Sequence, residues 1–361
     1  MPTLFDPLGV GDIELDNRIV MAPMTRSGAD DLGVQHPYVA DYYRQRASAG
    51  LIITEATNVS PMAKGYVRTP GVYTAGQVEG WRPVADAVHA RGGKVFMQLF
   101  HTGRIALPDF LPGGARPVAP SAVRAKGRNY TDEGMKEFVT PRELTREEIA
   151  QTVRDFAAAA ANAVGAGFDG VELHAASGYL VQQFLATNAN LRADEYGGSV
   201  ENRARFLFET LDALAEAVGA ARVGVKFSPR MPFNDVEERD AEALYPYVIE
   251  RLNGRGLAYV HVGDFTGEGW HARLRPLYEG VYFAGAGLTK ESGEELLARG
   301  AADAVVYGSK FISNPDLPER FRRGAPLNEP DPTTFYTPGE RGYTDYPTLA
   351  QAVPSSYVAP A

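Results

Sequence analysis

Short apolar runs recur along the chain and alternate with segments that have the hydrophobic pattern of helices. Continuous apolar runs are typical of parallel strands buried on both faces, and the helices between them form the crossovers. The runs are Arg18–Pro23, Leu51–Ala56, Lys94–Phe100, Gly170–Ala175, Val223–Ser228, Ala258–Gly263, Tyr282–Gly287 and Ala304–Ser309. Eight such runs predict an α/β fold, a (β/α)8 TIM barrel.

Two of the helical segments begin with a capping signal. Thr74 with Gln77, and Thr145 with Glu148, have the spacing at which the two side chains satisfy free backbone N–H groups at a helix start. The sixth crossover, Asp264–Gly280, has no clear apolar stripe. We therefore expect a long irregular loop there.

Two segments fall outside the repeat. Residues 102–141 are rich in Gly, Pro and Arg and follow the third strand, where such an excursion caps the mouth of a barrel. Residues 324–361 form a Pro- and Tyr-rich tail that we expect to be irregular. Because α/β barrels commonly reach this length as one unit, we expect residues 1–361 to form a single domain.

One glycine motif could be mistaken for a dinucleotide site. Gly165–Gly170 (GAGFDG) satisfies the G-x-G-x-x-G pattern. That fingerprint needs a strand before it and a helix after it, so that the helix N-terminus faces a pyrophosphate. Here a helix precedes and a strand follows, which favours a helix end and a simple turn.

Composition narrows the possible functions. The formal net charge of −9 gives no basic footprint for nucleic acid or an anionic membrane. The absence of cysteine excludes disulfides, thiolate metal sites, iron–sulfur clusters and cysteine nucleophiles. No signal-peptide pattern and no membrane-spanning apolar run is visible. We expect a cytoplasmic protein with a small-molecule substrate, either a monomer or a homodimer.

Polar residues enter the predicted strands near their carboxyl ends, where barrel active sites lie. By strand alternation these residues point into the barrel: Gln98, Glu172, His174, Lys226 and His261. A buried, unpaired charge costs several kcal/mol, so such groups indicate a ligand or a mutual ion pair. The simpler alternative, in which Lys226 and Glu172 only neutralise each other, leaves Gln98 and His174 unexplained.

The last two strands end in small residues. Ala286 and Gly287 follow the seventh strand, and Gly308 and Ser309 follow the eighth, with Lys310 beside them. The loops after these strands are the usual phosphate site of such barrels, because backbone N–H groups and a helix N-terminus converge there.

A phosphate at one side of the mouth, with Gln98, Lys226 and Thr25 around the rest, suits flavin mononucleotide (FMN). An amide such as Gln98 can both accept from and donate to the pyrimidine edge of the isoalloxazine ring. A cation such as Lys226 would stabilise the negative charge of the reduced ring.

Several longer motifs carry a resemblance that runs from about Phe5 to Leu349. They are Asn17–Arg26, Gln98–Arg104, Pro112–Pro120, Gly167–Tyr179, Tyr196–Arg205, Ser313–Leu317 and Gly342–Pro347. In content and order they resemble the old yellow enzyme family of FMN-dependent NAD(P)H:flavin ene-reductases.

The resemblance implies a flavin site built from five positions. Thr25 matches a threonine near flavin O4, Pro23, Met24 and Ala56 match residues that line the ring, and Gln98 matches the glutamine on the pyrimidine edge.

At two positions this chain departs from the family's flavin site. Lys226 stands where an arginine beside flavin N1 is usual, which keeps the charge but loses the planar fork. Ser309 stands where an arginine is common at the phosphate, so we expect either that Lys310 or another base compensates or that FMN binds more weakly.

The resemblance also implies the substrate side. His174 matches the first member of a pair that anchors the substrate, and Ser177 takes the place of the usual second His or Asn. Tyr179 matches the tyrosine that protonates the substrate α-carbon. The aromatic residues expected around the pocket are Tyr66, Phe100, Trp270 and Tyr336.

The implied reaction is NAD(P)H-dependent reduction of the C=C bond of activated alkenes, including α,β-unsaturated carbonyls, maleimides and nitroalkenes. Hydride passes from NAD(P)H to FMN and then from flavin N5 to the β-carbon, while Tyr179 supplies a proton to the α-carbon. A nitro compound is a further possible substrate class, and the choice between NADH and NADPH stays open.

Three other functions compete with this one. A metal-dependent hydrolase using His174 and His261 would need a paired His on the first strand, and Arg18–Met21 has none. A serine hydrolase at Ser177 lacks the G-x-S-x-G elbow. A non-catalytic flavin-binding or sensor barrel has the same fold and cofactor, and the departures from the family pattern keep it as the alternative. We expect no metal site.

Overall fold

A closed barrel of eight parallel strands forms the centre of the protein, of which the computed structural model describes residues 1–352. Each strand pairs with the next along the chain, and the last pairs with the first. The strands are β1 (Ile19–Met21), β2 (Leu51–Ile53), β3 (Val95–Phe100), β4 (Gly170–Ala175), β5 (Val223–Phe227), β6 (Tyr259–Gly263), β7 (Tyr282–Gly285) and β8 (Ala304–Tyr307). The predicted (β/α)8 fold is confirmed.

Helices fill the crossovers and continue into the tail. Both predicted capping boxes are present, at Thr74 and at Thr145, where each side chain accepts the N–H three residues later. The α-helices are Tyr38–Gln45, Ala75–His89, Arg146–Gly165, Leu180–Leu185, Val200–Arg203, Arg205–Val218, Ala241–Leu252, Trp270–Leu274, Lys290–Ala298, Ser309–Ser313, Leu317–Arg323 and Leu349–Ala352. The G-x-G-x-x-G segment lies between helix Arg146–Gly165 and β4, so it is a helix end and turn, as its context predicted.

The sixth crossover differs from its prediction. Instead of a wholly irregular loop, it contains helix Trp270–Leu274 and a 3-10 turn at Arg275–Leu277. The Asp264 carboxylate accepts backbone N–H groups from Gly267 through Trp270 and so holds the start of this helix. The hydrophobic pattern did not predict this helix, because its start depends on a capping residue several positions earlier and a cap leaves no apolar stripe.

The amino-terminal half of the barrel interior is filled by aromatic rings. Tyr259 stacks on Phe283 with 4.2 Å between ring centroids, and Phe96 lies against Tyr259 at 5.7 Å. Gly224 gives the Tyr259 ring its space, because a Cβ there would lie 2.3 Å from it. An antiparallel hairpin of two short strands, Leu8–Val10 and Ile13–Leu15, contributes Val10 and Leu15 to the same apolar cluster.

Two irregular segments cover the opposite, carboxyl end. The excursion after β3 holds an antiparallel hairpin, Arg128–Thr131 with Gly134–Glu137, and a short parallel pair, Val118–Ala119 with Arg142–Glu143. The excursion and the irregular tail are both as predicted, although residues 353–361 lie outside the described residues.

The tail is fastened to the barrel by a buried arginine. The Arg26 guanidinium, which follows β1, donates hydrogen bonds to the carbonyls of Phe335 and Gly342 and lies 4.5 Å from the Tyr343 ring centroid. These contacts bring the tail segment around Tyr336 to the barrel mouth. Within residues 1–352 no helix is both long and apolar enough to cross a membrane.

Candidate active site

A cavity of about 1070 Å³ opens at the carboxyl ends of the barrel strands. Its walls come from the strand ends, the loops that follow them, the hairpin of the excursion and the tail. A space of this size can enclose a ligand with three fused rings together with a flat substrate.

One wall carries the residues expected beside the isoalloxazine ring. Pro23, Met24 and Thr25 follow β1, Ala56 follows β2, and Gln98 lies near the end of β3. All five line the cavity. The sequence therefore placed them on the correct side of the barrel, and the contacts they make with a cofactor stay predictions.

The phosphate corner is formed by the loops after β7 and β8. Ala286 and Gly287 both have left-handed backbones, with φ of 80° and 68°, and Gly308 precedes helix Ser309–Ser313. Lys310 also lines this corner, and its ammonium donates to the carbonyl of Leu288 at 3.2 Å. Lys310 thus supplies a positive charge in this corner, whereas the Ser309 side chain supplies none.

A buried carboxylate lies behind the cavity wall, beside Gln98. Glu172 has no exposed surface, and it accepts hydrogen bonds from Gln98 Nε2 at 2.7 Å and His261 Nδ1 at 3.0 Å. The simpler alternative of a Glu172–Lys226 ion pair is wrong, because neither a hydrogen bond nor a salt bridge joins them. A histidine at position 261 could also be a core residue whose hydrogen bonds are satisfied within the protein, but His261 lines the cavity.

Lys226 and His174 present polar groups that need a ligand. The Lys226 ammonium is almost buried and has no hydrogen-bond partner within residues 1–352, and burial lowers its pKa while the Glu172 charge offsets part of that effect. Nδ1 of His174 is buried and likewise unpaired in this part of the chain. Since polar groups at a cavity wall are normally satisfied, the Lys226 ammonium fits the polar edge of a bound flavin.

Burial first, and then the charges of Lys226 and His261, hold the pKa of His174 well below its usual value. The imidazole is therefore neutral at physiological pH and offers one N–H donor. It shares the cavity with His261, but neither belongs to a group of three or more metal-ligating side chains in residues 1–352.

The chain turns sharply after β4, between His174 and Tyr179. Ser177 and Gly178 both have left-handed backbones, with φ of 57° and 74°. Asn234 donates its amide to the Ser177 carbonyl at 2.7 Å, and a Cβ on Gly178 would lie 2.6 Å from the Asn234 Cβ. This turn brings His174, Ser177 and Tyr179 into the cavity together.

Tyr179 is packed on three sides by rings. Its ring centroid lies 5.1 Å from that of His174 and 5.4 Å from that of Phe100, and its hydroxyl lies 3.0 Å from the Tyr66 hydroxyl. Burial and the neighbouring Tyr66 raise the pKa of Tyr179 well above its usual value, and burial raises that of Tyr66 to about 12. Both phenols therefore keep their protons at neutral pH.

The expected aromatic residues divide into three groups. Tyr66 and the largely exposed Tyr336 line the cavity, whereas Phe100 supports Tyr179 from behind the wall. The prediction for Trp270 is wrong. Its ring is fully buried in the core against Tyr245, at 5.7 Å, and does not line the cavity.

The sequence did not identify the residues at the rim. These belong to loops whose course depends on contacts with distant segments, so strand alternation could not place them. The only available signal was the presence of apolar and aromatic side chains directly after predicted strands or inside the excursion. The residues are Arg68, Arg128, Tyr130, Met135, Met231, Phe233 and Phe265.

The fold and the cavity define an FMN-dependent oxidoreductase of the barrel class. A family model described as the NADH:flavin oxidoreductase / NADH oxidase family matches residues 3–328, and this chain belongs to that family. The resemblance to the old yellow enzyme family is confirmed, and so is FMN as the cofactor.

Among its relatives is a probable flavin mononucleotide-dependent alkene reductase of Leishmania infantum, 47% identical over 355 residues, or 96% of this chain and 97% of that one. A 12-oxophytodienoate reductase 1 of Oryza sativa subsp. japonica is 44% identical over 360 residues, covering 96% and 93%. The structure of morphinone reductase in complex with tetrahydroNAD superposes with a TM-score of 0.93 at 47% identity, covering 97% of this chain and 98% of that one.

Proposed function

We propose that this protein reduces the C=C bond of activated alkenes with NAD(P)H as the hydride donor. The observation that carries the proposal is the joint presentation of His174, Ser177 and Tyr179 in one cavity wall. The printed names of the relatives, an alkene reductase and a 12-oxophytodienoate reductase, support a substrate with a carbonyl conjugated to the double bond.

The residues present can hold the cofactor at both ends. Gln98 and Lys226 would meet the pyrimidine edge, with Thr25 near O4, while Pro23, Met24 and Ala56 would contact the ring. The phosphate would lie in the corner formed by residues 286–287 and 308–310, where Lys310 supplies the charge. Bound FMN would supply the hydride that is added to the β-carbon.

His174 and Ser177 would bind the carbonyl or nitro oxygen of the alkene. A neutral imidazole N–H and a serine hydroxyl can each donate one hydrogen bond to that oxygen. Donation strengthens as negative charge builds on the oxygen during hydride addition, so the pair acts as an oxyanion hole. Ser177 is shorter than the His or Asn usual at this position, which weakens its part of that hole.

Tyr179 would protonate the α-carbon. Its raised pKa ensures that the phenol still holds its proton when the substrate arrives. The phenolate left after transfer can accept a hydrogen bond from Tyr66, whose hydroxyl is 3.0 Å away, and Tyr66 is positioned to return a proton. Five of the seven rim residues are apolar or aromatic, which favours a flat substrate with a largely apolar body.

Anaerobic reduction of the holoenzyme, followed by addition of 2-cyclohexenone, tests the function. We expect NADH or NADPH to bleach the flavin absorbance and the enone to restore it, with one equivalent of cyclohexanone formed. Bleaching without cyclohexanone would instead favour the alternative, a flavin-binding or sensor barrel. The single-domain organisation, the cytoplasmic location and the monomeric or homodimeric state stay predictions.

A further inference from the structure

Glu172 differs from the other buried carboxylates of the barrel in the partners it has. Glu55 accepts the backbone N–H of Arg26 and the side chain of Gln35, neither of which lines the cavity. Glu238 accepts the backbone N–H of Arg230 and two side chains that also lie away from the cavity. The hydrogen bonds of Glu172 go instead to two side chains that line the cavity, Gln98 and His261.

These two hydrogen bonds determine which donors and acceptors the cavity wall offers to a ligand. With its amide nitrogen turned to Glu172, Gln98 keeps its carbonyl oxygen and one N–H for a ligand. A neutral His261 that donates from Nδ1 to Glu172 must present Nε2 as an acceptor. The carboxylate thus sets a donor and acceptor pattern at the wall without lining it.

Glu172 also balances a charge. The strand register places Gln98 beside Glu172 on β3 and β4, and Lys226 beside His174 and His261 on β4, β5 and β6. Lys226 is the cation of this group and lies in the cavity wall, while Glu172 is its anion and lies behind. Because the interior is poorly screened, the charge of Glu172 reaches Lys226 without direct contact and raises the pKa of that lysine against the larger lowering by burial.

We propose that Glu172 is a positioning residue that orients Gln98 and His261 toward the pyrimidine edge of FMN and offsets the charge of Lys226, which lowers the reduction potential of the cofactor. The inference depends on the placement of that edge in the proposed function. Reduction adds negative charge to this side of the ring, so a nearby anion opposes it and a nearby cation favours it.

The test compares three variants of the holoenzyme by FMN dissociation constant and by reduction potential. Glu172→Gln removes the charge and replaces one of the two acceptor oxygens by an amide NH₂ group, so the side chain can no longer accept from both Gln98 and His261. We expect a dissociation constant about tenfold higher, and about a tenfold higher ratio of reduced to oxidised FMN at a fixed potential, which is about 30 mV for two electrons. Glu172→Asp keeps the charge but has a shorter side chain, which weakens its hydrogen bonds to Gln98 and His261. FMN binding should therefore weaken, whereas the ratio of reduced to oxidised FMN at a fixed potential should change less than about threefold.

Glu238→Gln is the matched control, because it removes a buried carboxylate whose partners Gln182 and Tyr245 do not line the cavity. It should leave both measurements unchanged. An unchanged potential in Glu172→Gln, or an equal shift in Glu238→Gln, would overturn the proposal. If Glu172→Gln does not retain FMN, Glu172→Asp decides: weaker binding at an unchanged potential supports the proposal, and unchanged binding overturns it.

Neither measurement requires an alkene. A protein whose potential depends on Glu172 but which forms no cyclohexanone from 2-cyclohexenone would contradict the proposed function alone. A protein that reduces the enone normally, with a potential indifferent to Glu172, would contradict this inference alone.

Discussion

The two halves of the barrel interior are built on the same strands and differ in what fills them. In the amino-terminal half Phe96 and Tyr259 pack with Phe283 into an apolar plug. Two residues further along the same strands, Gln98 and His261 line the cavity and bind Glu172. One step of strand alternation therefore separates side chains that hold the barrel closed from side chains available for chemistry.

The difference is one of free energy as well as position. The rings of the plug are almost wholly apolar, so their burial contributes stability, and the one polar atom among them is the buried Tyr259 hydroxyl, which has no hydrogen-bond partner within residues 1–352. The carboxyl-terminal half, called the polar half below, carries the nearly buried ammonium of Lys226 and the Nδ1 of His174, which has no partner within residues 1–352, and burying such groups costs stability. This division predicts that substitutions in the plug change stability and those in the polar half change function.

The largest effect is expected in the plug. Phe283→Ala should lower the free energy of unfolding by about 3 to 5 kcal/mol, because it leaves a cavity beneath the Tyr259 ring that stacks on it. Denaturant unfolding of the FMN-free protein measures this loss. If Phe283→Ala instead left stability intact and abolished FMN binding, the division between the two halves would not hold.

The next effect falls on the reaction. Tyr179→Phe should slow reoxidation by 2-cyclohexenone at least about a hundredfold, roughly 3 kcal/mol, because the buried proton donor is lost. Reduction by NAD(P)H should stay the same, since it needs no proton at the α-carbon. Stopped-flow measurement of the two half-reactions separates them, and equal slowing of both would argue that Tyr179 has only a packing role.

Acid should destabilise the protein through His101, a buried histidine directly after β3. Burial lowers the pKa of His101 to about 3, and the Gly103 N–H donates to its Nδ1 at 3.0 Å, so the folded protein keeps this ring neutral. The unfolded chain takes up the proton near pH 6.5. The stability that His101 contributes is therefore present above that pH and is lost as the pH falls toward 3.

At pH 5 this loss amounts to about 2 kcal/mol for His101. Unfolding free energies measured from pH 7 to pH 5, in the native protein and in His101→Gln, test it. The native protein should lose more stability than the variant over this range. Equal slopes would show that His101 is not the group that titrates.

The smallest effect concerns the oxyanion hole. Ser177→Asn should tighten the binding of a para-substituted phenol about tenfold, or roughly 1.4 kcal/mol, because the longer side chain restores the second donor. Asn also tolerates the left-handed backbone of this position. Titration of the flavin absorbance gives the dissociation constants, and no tightening would count against a direct contact by residue 177.

The sequence by itself determined the barrel and most of the residues that face its mouth. Eight apolar runs separated by capped helices define the fold, and alternation along each strand places Gln98, His174 and Lys226 inside, because both depend on residues close together in the chain. The small residues after the last two strands indicated the phosphate corner for the same reason.

The tertiary structure decided which of those residues meet and which aromatic rings reach the cavity. Tyr66 and Tyr179 form a hydrogen bond across 113 positions, and Glu172 bonds Gln98 and His261 rather than Lys226. Trp270 turns into the core. These outcomes depend on loop paths and on competition among several partners for one buried carboxylate, and both are settled by packing between segments far apart in the chain.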